Sequence, residues 1–173
     1  LRKLTESSGQ KWIMRKVKRY FVLADFLDKN FPDIPGLKHK AMSPVFLPEY
    51  RTIPLEKKPG DIWIVIGGSL DFARRDYMAL FQEGARYNKN VKFILLGDSK
   101  HFDGPEVKRL IKERGMEDSF VLFDHFVPND EFYSYARLAD YIMLLVHEDA
   151  GEFDSYLHYK ITGSMLIAFA LRK

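Results

Sequence analysis

The stretch Asp61-Ile62-Trp63-Ile64-Val65-Ile66-Gly67-Gly68-Ser69 decides how this chain is read. Its unbroken apolar run suits a strand buried on both faces, as in a parallel sheet covered by helices. Two glycines and a hydroxyl follow at once, so the backbone can turn tightly and approach a ligand closely. Arg74 and Arg75 stand just beyond. Much later, Lys160-Ile161-Thr162-Gly163-Ser164 opens a second apolar run, Met165 to Leu171. Each turn sets unhindered N–H groups at or near a helix N-terminus with a cation close by, an arrangement that favours an anion such as phosphate.

Working outward, the same pattern repeats. Continuous apolar runs at 91–96, 119–123 and 141–146 predict three more buried strands. Helix-length segments lie between them. Residues 72–87 follow Asp71 as an N-cap, and Tyr77, Leu80, Phe81 and Gly84 fall at helical spacing. Residues 105–114 begin with Pro105 and end at Gly115. Residues 130–138 carry Asp130 and Glu131 in the first turn, opposite the positive end of the helix dipole. Strands alternating with helices predict an α/β fold over 61–173, a Rossmann-like parallel sheet flanked by helices.

Residues 1–60 are less regular. Lys11 to Tyr20 suits a basic amphipathic helix, Tyr20 to Ala24 a short strand, and the residues up to Asn30 a helix. Six prolines from Pro32 to Pro59 then break every long element, so 1–60 reads as the end of a preceding domain plus a linker. The chain stops at Leu171-Arg172-Lys173 as an apolar helix ends, where a further strand is expected. It therefore reads as an excerpt from a longer protein, incomplete at its C-terminal end.

Composition narrows the class. In 173 residues, 46% hydrophobic and 29% charged content is that of a globular protein. No apolar run reaches the roughly 18–20 residues of a membrane-spanning helix. With no cysteine, disulfides and thiolate sites are excluded, which fits a reducing cytoplasm. The net charge of +3 conceals a basic first third and a mildly acidic remainder. The basic stretch 11–19, with Trp12, suits peripheral contact with the inner face of a membrane, and a plain surface helix is the alternative.

Ligands of an open α/β sheet bind outside the carboxyl ends of its strands. There, Gly68 and Ser69 with Arg74 or Arg75 suit a diphosphate, the alternative being a tight turn with solvated arginines. The spacing is neither the dinucleotide fingerprint nor the P-loop. Lys160, Gly163 and Ser164 form a second phosphate candidate, or else a helix cap. Gly97-Asp98 reads as a turn that keeps the cleft open. Asp124-His125-Phe126-Val127-Pro128 offers backbone groups and an aromatic face to a base, and His125 itself reads as structural. Glu148, Asp149, Glu152 and Asp154 suit sugar hydroxyls, a divalent cation or a solvated loop, with Glu152, next to Phe153, the favoured one. Metal-ligand spacing is missing, so no metal site is expected.

The order of these pieces resembles the C-terminal, nucleotide-sugar-binding domain of GT-B fold glycosyltransferases. It is most similar to the retaining family-four group and related bacterial polysaccharide enzymes. The likeness is carried by Gly67-Gly68, then Arg74-Arg75-Asp76-Tyr77, Leu95-Leu96-Gly97, Val127-Pro128-Asn129-Asp130-Glu131-Phe132, Leu138-Ala139-Asp140-Tyr141, Glu152-Phe153, and Gly163-Ser164 running to Ala168-Phe169-Ala170. Residues 20–50 also resemble the chain that precedes this domain.

The resemblance implies a glycosyltransferase that takes a UDP- or GDP-sugar donor and transfers the sugar to a saccharide or lipid-linked acceptor. It implies no further cofactor, no nucleic-acid partner and a cytoplasmic setting. Arg74 or Arg75 would neutralise the donor diphosphate, with Gly68 and Ser69 beside it. Phe126 and Val127 would lie along the base, Glu131 would orient that loop, and Gly163 and Ser164 would hold phosphate oxygens. The catalytic residue is unassigned beyond Glu152. The family's Glu-x7-Glu motif is broken, because Lys160 stands where the second glutamate belongs and Ile167 is the gapless alternative. Donor sugar and stereochemistry are thus left open. In this fold the acceptor site and part of the machinery lie in the N-terminal domain, so the stretch is expected to be inactive alone. Two other readings stand beside this one: a non-catalytic Rossmann-like module for a nucleotide or partner, and an epimerase-like nucleotide-sugar enzyme.

Overall fold

A computed structural model describes residues 12, 16–30, 33, 35–42, 47–146, 153–158 and 160–173. The chain forms two compact units, Leu1–Pro44 with Gly151–Ile161 and Val45–Ala150 with Thr162–Lys173.

In the first unit, β1 (Arg19–Val22), α1 (Asp25–Lys29) and β2 (Lys38–Ala41) form a βαβ unit. The two strands run parallel, from Arg19 opposite Lys38 to Val22 opposite Ala41. Arg19 and Tyr20 therefore belong to a strand rather than to the basic helix expected there. Residues 11 and 13–15 of that stretch lie outside the described residues. Strand β2 sits between the prolines that read as a linker, and its four residues are short enough to fit between them.

The second unit holds the sheet that the apolar runs predicted. Its strands are β3 (Ile62–Gly67), β4 (Val91–Asp98), β5 (Phe120–Phe123) and β6 (Tyr141–Ile142), and its helices include α2 (Gly104–Glu113) and α3 (Asn129–Leu138). After the short helix α4 (Phe153–His158) of the first unit, the chain ends in α5 (Gly163–Leu171). All four strands are parallel, in the spatial order β5-β4-β3-β6. The chain builds outward from β3 through β4 to β5, then returns to place β6 on the other side of β3. This is the 3-2-1-4 order of a doubly wound, Rossmann-like sheet, with its switch point at β3.

Alternation along the strands explains why both faces are covered. Ile66, Phe93 and Leu95 point into one core with Tyr77, Phe81, Val107 and Ile111. Trp63, Val65, Ile94 and Leu96 point into a second core with Phe123, Val127 and Ala139. The register sets Ile66 opposite Leu95 and Val65 opposite Ile94, so each face presents matched rows.

Two expected elements are shorter than the sequence indicates. Instead of a helix over 72–87, a single 3-10 turn spans Tyr77–Phe81. Asp71 ties the preceding backbone into a turn, its carbonyl accepting from Arg74 N and Arg75 N at 3.2 and 3.0 Å. Asp76 N donates to Leu145 O at 2.9 Å, and Arg75 bridges Val146 in antiparallel fashion. These bonds to a distant segment displace the helical ones. They also explain why β6 ends at Ile142: the chain beyond it pairs with Arg75-Asp76, and Leu145 adopts a φ of 47°. Tyr77, Leu80 and Phe81 still reach the core, because one 3-10 turn satisfies their spacing.

The second unit also takes up much of the proline-rich stretch. Arg51 N donates to Asp130 Oδ1 at 2.9 Å, and Ile53 N to the buried Ser134 Oγ at 3.0 Å. Asp140 Oδ2 accepts from Trp63 N at 2.7 Å and from Lys57 Nζ at 2.5 Å. The Lys57 hydrogen bond, then that of the Trp63 amide, holds the Asp140 carboxyl below the ordinary carboxylate range. Asp140→Ala is expected to destabilise the fold by about 1–3 kcal/mol in urea melts, because a part-buried N–H loses its acceptor. The folded pKa is the lower one, so the ionic part of this contribution is whole above the ordinary value of 3.8. It is lost as pH falls through the folded value.

Candidate functional site

A cleft of about 560 Å³ opens at the carboxyl ends of β3, β4 and β5. That volume falls within the range of small-molecule sites. Gly68 and Ser69 line it after β3, Gly97 and Asp98 at the end of β4, and Phe126 and Val127 after β5. Phe132 and Tyr133 of α3 and Ile167 of α5 complete an apolar wall. The three strand ends can gather because two of them carry glycine. A Cβ on Gly97 would sit 2.3 Å from the Gly68 carbonyl oxygen, and one on Gly67 would sit 2.7 Å from the Phe132 ring. Gly68 itself has a φ of 106°, open only to glycine at low cost.

The first turn's arginines part company. Arg75 turns inward: Nη1 donates to Leu144 O at 2.9 Å and Nη2 to Gly67 O. Arg74 is exposed and does not line the cleft. Beside Arg75, the buried Tyr77 hydroxyl donates to Ser69 O at 3.4 Å. Burial pushes the Tyr77 pKa up to about 12 against the opposing pull of Arg75, which keeps the group a donor at any working pH.

The second turn is shared between the units. Lys160 belongs to the first, where its Nζ stands over the Tyr156 ring at 5.5 Å. Thr162, Gly163 and Ser164 belong to the second. Thr162 caps α5 by accepting from Met165 N at 3.1 Å. Ser164 is buried, and its Oγ donates to Gly67 O at 3.4 Å. The two glycine-and-hydroxyl turns do therefore meet, at one backbone carbonyl. Gly163 is exposed. Glu152, Glu148 and Asp149 lie outside the described residues.

The rim after β5 carries a chain of charges. Lys100 Nζ stands 3.3 Å from Asp124 Oδ2, and His125 lies between Asp124 and Glu131, with Nδ1 at 3.5 Å from Asp124 Oδ1 and Nε2 at 3.2 Å from Glu131 Oε2. Hydrogen bonding to Glu131, then to Asp124, raises the His125 pKa above 6.5. Glu131 thus holds the loop that presents Phe126, which is 80% exposed at the cleft.

Sequence reasoning passed over several lining residues. Phe102 is 73% exposed there, with His101 and Asn129 beside it. A lone aromatic in a polar loop after a strand, His101-Phe102-Asp103-Gly104-Pro105, is the signal that could have flagged it. Among the described residues the lining includes no Lys or Arg, and Asp98 is its one carboxylate. Chemically, the cleft can pack planar or apolar groups and accept hydrogen bonds from hydroxyls. Among the described residues no cluster of three or more metal-ligating side chains occurs, and no helix is long and apolar enough to cross a membrane.

Arg75→Ala, with no ligand present, is expected to lower stability by about 1.5–3 kcal/mol, the range of a hydrogen bond to a charged group. Chemical denaturation checks this, and an unchanged midpoint would show that the clamp carries no weight. His125 should titrate by NMR above 6.5, and Glu131→Gln should bring its midpoint down. Because the folded value is the raised one, this pairing stabilises fully below 6.5 and fades as pH rises through the folded value. The chain matches no protein-family model, no curated protein and no solved structure.

Proposed function

We propose that the second unit is the donor domain of a glycosyltransferase and that its cleft binds the nucleoside diphosphate of a UDP- or GDP-sugar. The observation that carries this reading is where the cleft stands: at the carboxyl ends of a 3-2-1-4 parallel sheet, lined by Gly68, Ser69, Phe126 and Val127. The exposed Phe126 ring offers a stacking face for a base, and the apolar wall suits an uncharged nucleoside better than a phosphate. The diphosphate belongs at the Gly68-Ser69 edge. There the backbone is bare, the Arg75 charge lies directly behind it, and the N-terminal turn of α5 arrives through Ser164. Positive charge at that edge favours departure of the nucleoside diphosphate, whose charge grows in the transition state. The sugar then passes to a saccharide or lipid-linked acceptor held by parts of the protein beyond this unit.

Calorimetric titration with UDP, GDP and inorganic pyrophosphate tests the reading. UDP or GDP is expected to bind, and Phe126→Ala to weaken it about fivefold or more, since base–aromatic stacking contributes about 1–3 kcal/mol. If neither nucleotide binds, or if pyrophosphate binds as tightly as both, the cleft is not a nucleotide site. Release of sugar from a labelled donor, with and without an acceptor, then separates transferase from epimerase and from a silent binding module.

A further inference from the structure

The turn between β4 and α2 brings two side chains to the cleft that the reading above leaves without a task. The first is Asp98, the last residue of β4, whose side chain is 17% exposed. Its Oδ1 accepts from Lys100 N at 2.8 Å and its Oδ2 stands 3.4 Å from His101 Nε2, so the carboxylate is fixed in direction. An ionised carboxylate only accepts hydrogen bonds, and each oxygen has capacity for a second donor. No described residue of the lining is a Lys or Arg, so the Asp98 carboxylate makes this corner suit hydroxyl groups better than phosphate.

The second is Phe102. Its φ of 51° is left-handed, a conformation that costs energy for any residue with a Cβ. The turn enforces it from both sides. Asp103 N donates to Leu70 O at 2.9 Å, and Asp103 Oδ2 accepts from Phe72 N at 2.7 Å. Gly104 N donates to His101 O at 3.0 Å, and a Cβ on Gly104 would fall 2.6 Å from the Ser99 backbone. The chain thus spends backbone strain to hold a ring that stays 73% exposed at the cleft. Core burial does not account for such a residue, whereas stacking on a planar ligand does.

We propose that Asp98 and Phe102 form the nucleoside-recognition element of this cleft: Asp98 accepts hydrogen bonds from the ribose hydroxyls and Phe102 stacks on the base. The inference rests on the nucleotide reading above and assigns the parts of the ligand that this turn reads. The strained backbone prearranges the ring, so little ordering is left to the moment of binding.

The test titrates the parent chain and three variants with UDP, GDP and their 2′-deoxy counterparts, and follows thermal melting of each. The parent is expected to prefer the ribonucleotide by about fivefold or more, as a site built for a hydroxyl does. Asp98→Asn keeps an oxygen for the Lys100 amide and should shrink that preference to within about twofold. Phe102→Gly removes the strain, so its melting temperature should hold or rise while nucleotide affinity drops about fivefold or more. Phe102→Leu keeps bulk and strain and should lose affinity too. A ribose preference that survives Asp98→Asn, a parent with no such preference, or a Phe102→Gly variant that binds like the parent overturns this inference and leaves the nucleotide site standing. Failure of the parent to bind any nucleotide overturns both.

Discussion

The carbonyl oxygen of Gly67 is the point on which the second unit turns. A carbonyl offers two lone pairs, and here they are taken by the guanidinium of Arg75 and the hydroxyl of Ser164. Both donors come from outside the strand, one from the turn that follows β3 and one from the N-terminal turn of α5. Through its other nitrogen Arg75 also reaches Leu144, just past β6. One acceptor at the end of the central strand therefore binds together the elements on both sides of the switch point. A charge-assisted bond in this part-buried position is stronger than a neutral one and tolerates little displacement.

The cleft exists because backbone, not side chain, occupies the space where the strands end. Gly67 lets the Phe132 ring pack against β3, and Gly97 lets the β4 backbone run beside the Gly68 carbonyl. Any Cβ at either position would meet ring or backbone atoms at less than contact distance. The same economy sorts the charges. The cation nearest the glycine turn is drawn behind it by two carbonyls, while among the described residues the open side of the cleft carries one carboxylate and several aromatic rings. In the proposed reading that division separates the phosphate end of the ligand from its nucleoside end.

How far the sequence could be read depended on the range of the forces involved. The strands at 62–67, 91–98 and 120–123, and the helices that start near Pro105, Asn129 and Gly163, were visible because burial pattern and terminal residues are local. The helix expected over 72–87 was not realised, since Asp76 N bonds to Leu145 O and Arg75 to Val146, contacts that no spacing rule foresees. Strand β2 went unread because prolines on either side masked four residues whose partner lies far back at Arg19. Of the site candidates, Gly68, Ser69, Phe126 and Val127 line the cleft. Arg75 and Ser164 are engaged with a backbone carbonyl instead.

By itself the sequence determined that this is an α/β chain with a parallel sheet, with one glycine turn at a strand end and one at a helix start, because apolar period and chain-breaking residues act over a few neighbours. Only the tertiary structure decided what those turns do. It joined the two at Gly67, withdrew Arg75 from the surface, and brought Asp98 and the strained ring of Phe102 to the cleft. The reason is geometric: a hydrogen bond spanning 97 residues, or a backbone held left-handed by its neighbours, is fixed by where the sheet and helices come to rest.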